Sequence, residues 1–379
     1  MNEYALRRER LGHVLEDAQL DALFLPLSSD LEYLTGIERD LPSFGETAQA
    51  HAWLAGAFFA PGHEPVCLLP RMFAAFHLRG EPPRGLVVAD EADDPEQVLR
   101  AAIRALGPIR RLGIGQRTWG ESVLQLQRIL APEEVVDGTP LVRRLRAVKS
   151  DAELALMHEA CRMAEQAMAA VAPNVVPGVT LVELLEGVEH ELRKQGSRTP
   201  SFPTHLFTFG NKRLDSRDPS GLLPLEGGEA VMFDFGAVHD GYCSDFGRTI
   251  VCGEPPAGYL EAYEVMLAAQ EAGRTAMRPG VRAADVNRAC REPIEAAGFG
   301  AAFRHRMGHA IGLDVHERPF LSVEDETVLE AGMTFTDEPS ILIDGRFGVR
   351  IEDVIVCAEP AARYVNEYSR APVVKPVVN

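Results

Sequence analysis

A chain of 379 residues is longer than one ordinary core supports, which sets two domains as the expectation. With 38 Lys plus Arg against 56 Asp plus Glu, the formal charge is −18, a balance that disfavours nucleic acid and anionic membrane as partners. No apolar run reaches the roughly 18 residues of a membrane-spanning helix, and the N-terminus MNEYALRRERLGHVLEDAQL has basic residues but lacks the apolar stretch of a secretory signal. Cys67, Cys161, Cys243, Cys252, Cys290 and Cys357 are scattered without CxxC spacing, so they read as small core residues of a cytoplasmic protein.

Short β-type runs and helical patterns alternate through the first third of the chain. Asp21–Leu27, Glu64–Pro70, Arg84–Asp90 and Arg110–Gly115 read as strands, and Pro95–Gly107 and Glu121–Ala131 as helices. The alternation predicts an α/β domain over residues 1–145. Ser150-Asp-Ala-Glu153 is a capping-box pattern that opens a long helix to about Val171, and Thr180-Leu-Val-Glu183 opens a second to about Gln195. Two more helices are expected near Tyr259–Met277 and Ala283–Ala297. A helix pair followed by strands, occurring twice in residues 146–379, suggests an internal structural duplication.

Acids interrupt three strand-like stretches of that second part. In EAVMFDFGAVHDGYCSDFGRTIVC, Asp240-Gly241 is a two-residue hairpin signal. That turn sets Asp234 opposite Gly247 and Asp245 opposite Gly236, with both acids on one face. A turn at His239-Asp240 would pair the acids directly, and a three-residue loop would break the parity. Glu338, before Pro339, ends the second strand. In FGVRIEDVIVC, Arg350, Glu352 and Val354 point away from Val349, Ile351 and Asp353. The stretch GHAIGLDVHERP adds His309 and His316 in what reads as a glycine-loosened loop. Asp and Glu are disfavoured in strands and costly to crowd when buried. Four carboxylates and one imidazole match two divalent ions, about −4 against +4. Such oxygen-rich ligation with one nitrogen suits manganese, cobalt, iron or zinc.

These residues, in this order, resemble the pita-bread metallopeptidases. Asp234, Asp245 eleven residues later, the GHAIG and HERP motifs, Glu338-Pro339 and Arg350-Ile-Glu352-Asp353 all fit that family's pattern. The branch they are most similar to holds the Xaa-Pro dipeptidases, Xaa-Pro aminopeptidases and creatinase-like proteins. Leu145–Leu154 (LRAVKSDAEL) and Asp30–Glu38 (DLEYLTGIE) extend the likeness across nearly the whole chain. The resemblance implies an α/β N-terminal domain (1–145) and an α+β pita-bread catalytic domain (146–379). It implies a dinuclear site of Asp234, Asp245, His309, Glu338 and Glu352, with Asp245 and Glu352 bridging and manganese the leading candidate. Two ions about 3.5–4 Å apart would share a hydroxide and polarise the scissile carbonyl. Glu338 would carry the proton to the leaving amine, His316 would hydrogen-bond the substrate, and Arg350 would orient Glu352. A homodimer acting on short peptides is implied as well.

The chain departs from the proline-specific pattern in Ser201–Gly221. The expected histidine falls on Asp215 or Ser216, with His205 upstream, which argues against carrying over a requirement for proline. In the same loop, Arg213 or Arg217 is expected to clamp the C-terminal carboxylate of a dipeptide. His305 is expected to be structural or at a rim, while His13, His51, His63, His77, His158, His190 and His239 carry no motif. The reading is a metal-dependent exopeptidase, a dipeptidase ahead of an aminopeptidase. Its competitors are a metal-dependent carbon–sulfur lyase on the same fold and a non-catalytic peptide-binding protein. Creatinase-type chemistry needs no metal, so five intact ligand positions disfavour it.

Overall fold

The computed structural model describes residues 3–39, 50–76, 78 and 83–375, with the backbone alone for Lys375; His77 lies outside the described residues. The chain divides into two compact units, Met1–Arg146 and Ala147–Asn379.

In the first unit, six strands form one sheet: β1 (Ala22–Pro26), β2 (Gly56–Phe59), β3 (Val66–Pro70), β4 (Val87–Ala89), β5 (Arg111–Ile114) and β6 (Glu134–Asp137). Their order is β4-β3-β2-β1-β5-β6. β1, β5 and β6 are parallel, as are β3 and β4, and β2 runs antiparallel to both its neighbours. The helices are α1 (Glu3–Asp17), α2 (Ser29–Thr35), α3 (Arg71–Phe76), α4 (Pro95–Ala102), α5 (Gly120–Leu130) and α6 (Thr139–Ala147). Phe24, Phe58, Leu68, Leu99, Leu112 and Leu126 make the core. The strand and helix runs expected here are present in shortened form. β2 and β6, each of four residues, were not anticipated, because so short a run carries too little alternation to be read.

The second unit opens with α7 (Asp151–Val171) and α8 (Leu181–Lys194), and both carry the expected capping boxes. The Ser150 hydroxyl accepts from the Glu153 N–H at 3.3 Å, and the Glu153 carboxylate accepts from the Ser150 N–H at 2.8 Å. Strands β7 (His205–Phe207), β8 (Glu229–Phe235), β9 (Val238–His239), β10 (Tyr242–Cys243) and β11 (Phe246–Cys252) follow, then α9 (Tyr259–Ala276) and α10 (Ala283–Ala296). The rest is β12 (Gly308–Ala310), β13 (Glu317–Leu321), β14 (Thr334–Asp337), β15 (Ser340–Ile343), β16 (Phe347–Arg350), β17 (Asp353–Val356), β18 (Arg363–Tyr364) and β19 (Val373–Lys375). One sheet is ordered β19-β11-β8-β7 and the other β13-β12-β14-β17-β18, with β15 and β16 a separate hairpin. Helix pair α7/α8 covers the first sheet through Met168, Leu184, Val231, Phe233 and Ile250. Pair α9/α10 covers the second through Tyr263, Met266, Val286, Phe335 and Ile355. The twofold helix-pair-then-strands pattern of the sequence is thus a repeated layer in space.

The hairpin register is the one Asp240-Gly241 dictates: His239 pairs Tyr242, and Asp234 pairs Gly247. Both turn residues have positive φ, 44° and 84°, the twist a two-residue hairpin turn needs and glycine supplies at least cost.

Candidate active site

Alternation along the strands decides which side chains converge. On β8, Val231, Phe233 and Phe235 pack with α7 and α8, so Asp234 faces the other way. On β14, Phe335 enters the core under α9 and α10. Asp337 shares its side, and Thr336 and Glu338 take the opposite one. Val349 and Ile351 join the same core, which leaves Arg350 and Glu352 on the face of Glu338. The strand expected over Phe347–Cys357 is broken at Ile351 and Glu352, where Gly247 and Glu352 exchange backbone hydrogen bonds at 3.2 and 3.0 Å. That exchange ties the two sheets together beside the acids.

His309 lies on β12 between β13 and β14, so the expected flexible loop is instead a short interior strand. The reason is local. A Cβ at position 308 would fall 2.0 Å from the Thr336 carbonyl oxygen, so only glycine lets β12 approach β14 this closely. Gly308→Ala is expected to cost about 1–3 kcal/mol through overpacking, checked by chemical denaturation against the unmodified protein. Gly312 serves differently: it borders the buried ion pair of Lys149 and Glu317, 3.1 Å apart.

Carboxylate oxygens of Asp234, Asp245 and Glu352 lie within 4.8 Å of one another. His309 Nε2 is 3.5 Å from Asp245 Oδ2 and 3.2 Å from Glu338 Oε1. Asp245, Glu352 and His309 are almost wholly buried. Asp245 Oδ1 and Glu352 Oε2 have no hydrogen-bond partner, an arrangement unfavourable unless a cation or proton meets them. Arg350 Nη1 is 2.7 Å from Asp234 Oδ2 but 3.9 Å from Glu352 Oε2. Arg350 therefore holds Asp234 foremost and also stands beside Glu352, the acid it was expected to orient. Residues two apart on one face of a strand are about 6–7 Å apart, so the long side chain reaches across to β8 rather than back along its own chain.

Burial raises the Asp245 carboxyl to about 6, against the pull of His309, with Asp234 and Glu338 adding to the rise. Glu352 is pushed well above the usual carboxylate range by burial and then by Asp245, Glu338 and Asp234. Asp234 rises through burial, opposed by Arg350. Burial acts to lower His309, but hydrogen bonds and charge from Asp245 and Glu338 outweigh it and lift the imidazole to about 10. Glu338 is the converse case: burial acts to raise it, and His309 and Arg350 hold it at about 2. Imidazolium His309 and the Arg350 guanidinium are thus the counter-charges of the metal-free cluster.

A cleft of about 540 Å³ opens onto this cluster, lined by Glu338, His316, Arg350, His305, Arg304 and Arg306 among others. Of the four carboxylates, Glu338 is the one that lines it. The His309 and His316 rings lie 4.1 Å apart, and burial, with His309 and Arg306, lowers His316 to about 4, so that imidazole is neutral at neutral pH. His305 also lines the cleft; its Nδ1 donates to the Arg306 carbonyl at 2.7 Å, which leaves Nε2 to accept from Ser340. Arg213 and Arg217 do not line it. Arg213 rests on the Phe209 ring, and Arg217 donates to the Pro203 carbonyl and acts on Asp234 only through space. Their loop is a surface turn held by Lys212 on Glu226 and by Asp215 on His205. His205, by contrast, stands directly opposite Asp234 in the β7–β8 pairing.

The profile of metallopeptidase family M24 matches residues 155–359, and the Creatinase/Prolidase N-terminal domain matches residues 7–148. The chain belongs to metallopeptidase family M24. Among curated proteins it is 33% identical to an Xaa-Pro dipeptidase of Pyrococcus horikoshii over 270 residues, 70% of this chain and 76% of that one. An Xaa-Pro dipeptidase from Bacillus anthracis shares its structure with a TM-score of 0.83 at 28% identity, covering 98% of this chain and all of that one. A dipeptidase from Mycobacterium ulcerans gives a TM-score of 0.82 at 29% identity, covering 99% and 98%. The architecture is accordingly a creatinase-type N-terminal domain and a pita-bread catalytic domain.

In the M24 unit, two contributors escaped the reading of the sequence. Arg248 donates to the Glu352 carbonyl at 2.8 Å and to Asp353 at 2.7 Å, fixing the backbone behind an acid of the cluster. A lone arginine inside an apolar strand was the available signal. Arg306 lines the same cleft as His316, and its signal was the basic run RHR, one residue before the GHAIG motif.

Proposed function

We propose that the chain is a metal-dependent exopeptidase that removes the N-terminal residue of short peptides, dipeptides foremost. One observation carries the reading: four acids and one imidazole from five separate strand ends meet, with buried carboxylate oxygens left unpartnered. The donor set fits two divalent ions, manganese before cobalt, zinc or iron. Asp234, Asp245, His309, Glu338 and Glu352 would hold them. When bound, such a pair acidifies water and polarises a carbonyl.

The rest falls to the chain's own residues. Glu338, at the cleft, accepts a proton from the attacking water and delivers it to the amine that leaves. Neutral His316 donates a hydrogen bond to the carbonyl oxygen as negative charge develops there. Arg350 holds Asp234 and keeps a positive charge beside Glu352. A homodimer is part of the same reading, and sedimentation at micromolar concentration checks it. The deciding assay is a dipeptide panel on chelated protein before and after manganese, cobalt, zinc or iron is returned; no cleavage with any of the four metals sinks the proposal.

Ligation requires the protons on His309 and Glu352 to leave, and below pH 6 that on Asp245 as well. Metal affinity is therefore expected to rise with pH between 6 and 8, by about tenfold per pH unit for each proton released. Calorimetry in buffers of different ionisation enthalpy counts those protons, and a count of zero contradicts the ligand set.

A further inference from the structure

Lys149 of the stretch LRAVKSDAEL and Glu317 of GHAIGLDVHERP take no part in the metal site or the proton path. They are 168 positions apart in the chain, yet Lys149 Nζ lies 3.1 Å from Glu317 Oε2, with both side chains almost wholly buried. A buried ion pair gains little stability over apolar side chains of the same volume, so its effect is to be sought in the arrangement it fixes. Here that arrangement is the loop between β12 and β13. Ala310 pairs with Glu317 across the base of the loop. Glu317 Oε1 accepts from the Asp314 N–H at 3.2 Å, and the Gly312 N–H donates to the Asp314 carbonyl at 3.0 Å. A Cβ at position 312 would fall 2.9 Å from both Glu317 Oε1 and Lys149 Cε, so the loop is wrapped closely around the pair. His316 directly precedes Glu317, and successive side chains entering a strand point to opposite sides. One therefore goes to the interior and the other to the cleft. The His316 imidazole makes no hydrogen bond among the described residues and stands beside the His309 ring, 4.1 Å away. Its direction is thus set by its backbone, which is held through Glu317.

We infer that the buried Lys149–Glu317 ion pair is a positioning device: it holds the loop so that the His316 imidazole faces the reacting carbonyl. This rests on the exopeptidase reading for what His316 does, and adds to it what aims the ring. Lys149 does not line the cleft, so it reaches the reaction only through Glu317 and the loop. His309 stands on β12 itself, paired with Phe320 and hydrogen-bonded through its N–H to Thr336, and keeps its place without the pair. Loss of the pair should therefore weaken the transition-state contact of His316 and spare metal binding.

The test replaces both charges at once, because Lys149→Met alone would strand a buried carboxylate and destabilise the unit. Lys149→Met/Glu317→Leu removes the pair and fills its space, and Lys149→Met/Glu317→Met serves if the first does not fold. Loaded with manganese, the double variant should lose about 10- to 100-fold in kcat on Ala-Ala, as a displacement of about 1 Å at a reacting group costs. Its KM and manganese affinity should stay within about threefold of wild type. Placed on His316→Ala, the same replacement should lower kcat by less than about threefold more, since the group it positions is already gone. Undiminished kcat, a loss that multiplies fully with that of His316→Ala, or a loss that follows manganese affinity overturns the inference. A nuclear Overhauser contact between the His309 and His316 ring protons, assigned with His316→Ala, reads the placement on metal-free protein without hydrolysis. It should be present in wild type and weakened or lost in the double variant; its persistence there, or its absence from wild type, overturns the inference. If wild type cleaves no peptide, the exopeptidase reading fails, and this contact alone decides whether the pair places His316.

Discussion

Returning manganese to metal-free protein at a hundred times its dissociation constant is expected to stabilise the second unit by about 2.7 kcal/mol for each site filled. For a unit of this size one site corresponds to a rise in Tm of roughly 5–10 °C. The physical basis is the electrostatic penalty of the vacant cluster. Asp245 Oδ1 and Glu352 Oε2 are buried without donors, and the acids around them raise one another's pKa. A cation between them removes that penalty and has no equivalent site in the unfolded chain. Glu352→Gln is expected to abolish most of the rise while leaving the metal-free protein at least as stable, since it takes one acid out of a crowded, desolvated group. Thermal scans of both proteins with and without metal provide the check. Equal shifts in the two would mean that the ions bind elsewhere.

The second large effect is on chemistry. Glu338→Gln is expected to lower kcat by about 10²–10⁴-fold, the usual contribution of a positioned proton carrier. His316→Ala should cost about 10²–10³-fold, as removal of one hydrogen-bond donor to developing charge does. Neither group titrates between pH 5.5 and 9, since Glu338 is held at about 2 and His316 at about 4, so the loss of either should lower the rate and leave the profile unshifted. Rates measured from pH 5.5 to 9 check this. A His316→Ala profile displaced by a full unit would mean that the imidazole carries a proton after all. Metal content must be measured alongside, because Glu338 is also placed among the ligands.

Much of this molecule was legible before any coordinates. Two capping boxes marked the starts of α7 and α8, and both helices ran to within a residue of their expected ends. The Asp240-Gly241 turn fixed a seven-residue register, because the two-residue side-chain period of a strand leaves no freedom once the loop length is known. The same period placed Glu352 and Arg350 on the face away from Ile351.

What local pattern could not decide is how strands far apart in sequence approach one another. The glycine-rich stretch around His309 looked too loose for a strand, and it becomes one because Gly308 lets it lie against Thr336. Arg350 was assigned to an acid near it in sequence and makes its shorter contact with Asp234 on another strand. Arg213 and Arg217 carried the charge expected of a carboxylate clamp but occupy a surface turn. Residue type, order and parity, being properties of the covalent chain and its backbone geometry, determined which groups could form a metal site. Distances between non-neighbouring strands, set by packing, determined which charges meet: Arg350 with Asp234, and His309 with Asp245 and Glu338.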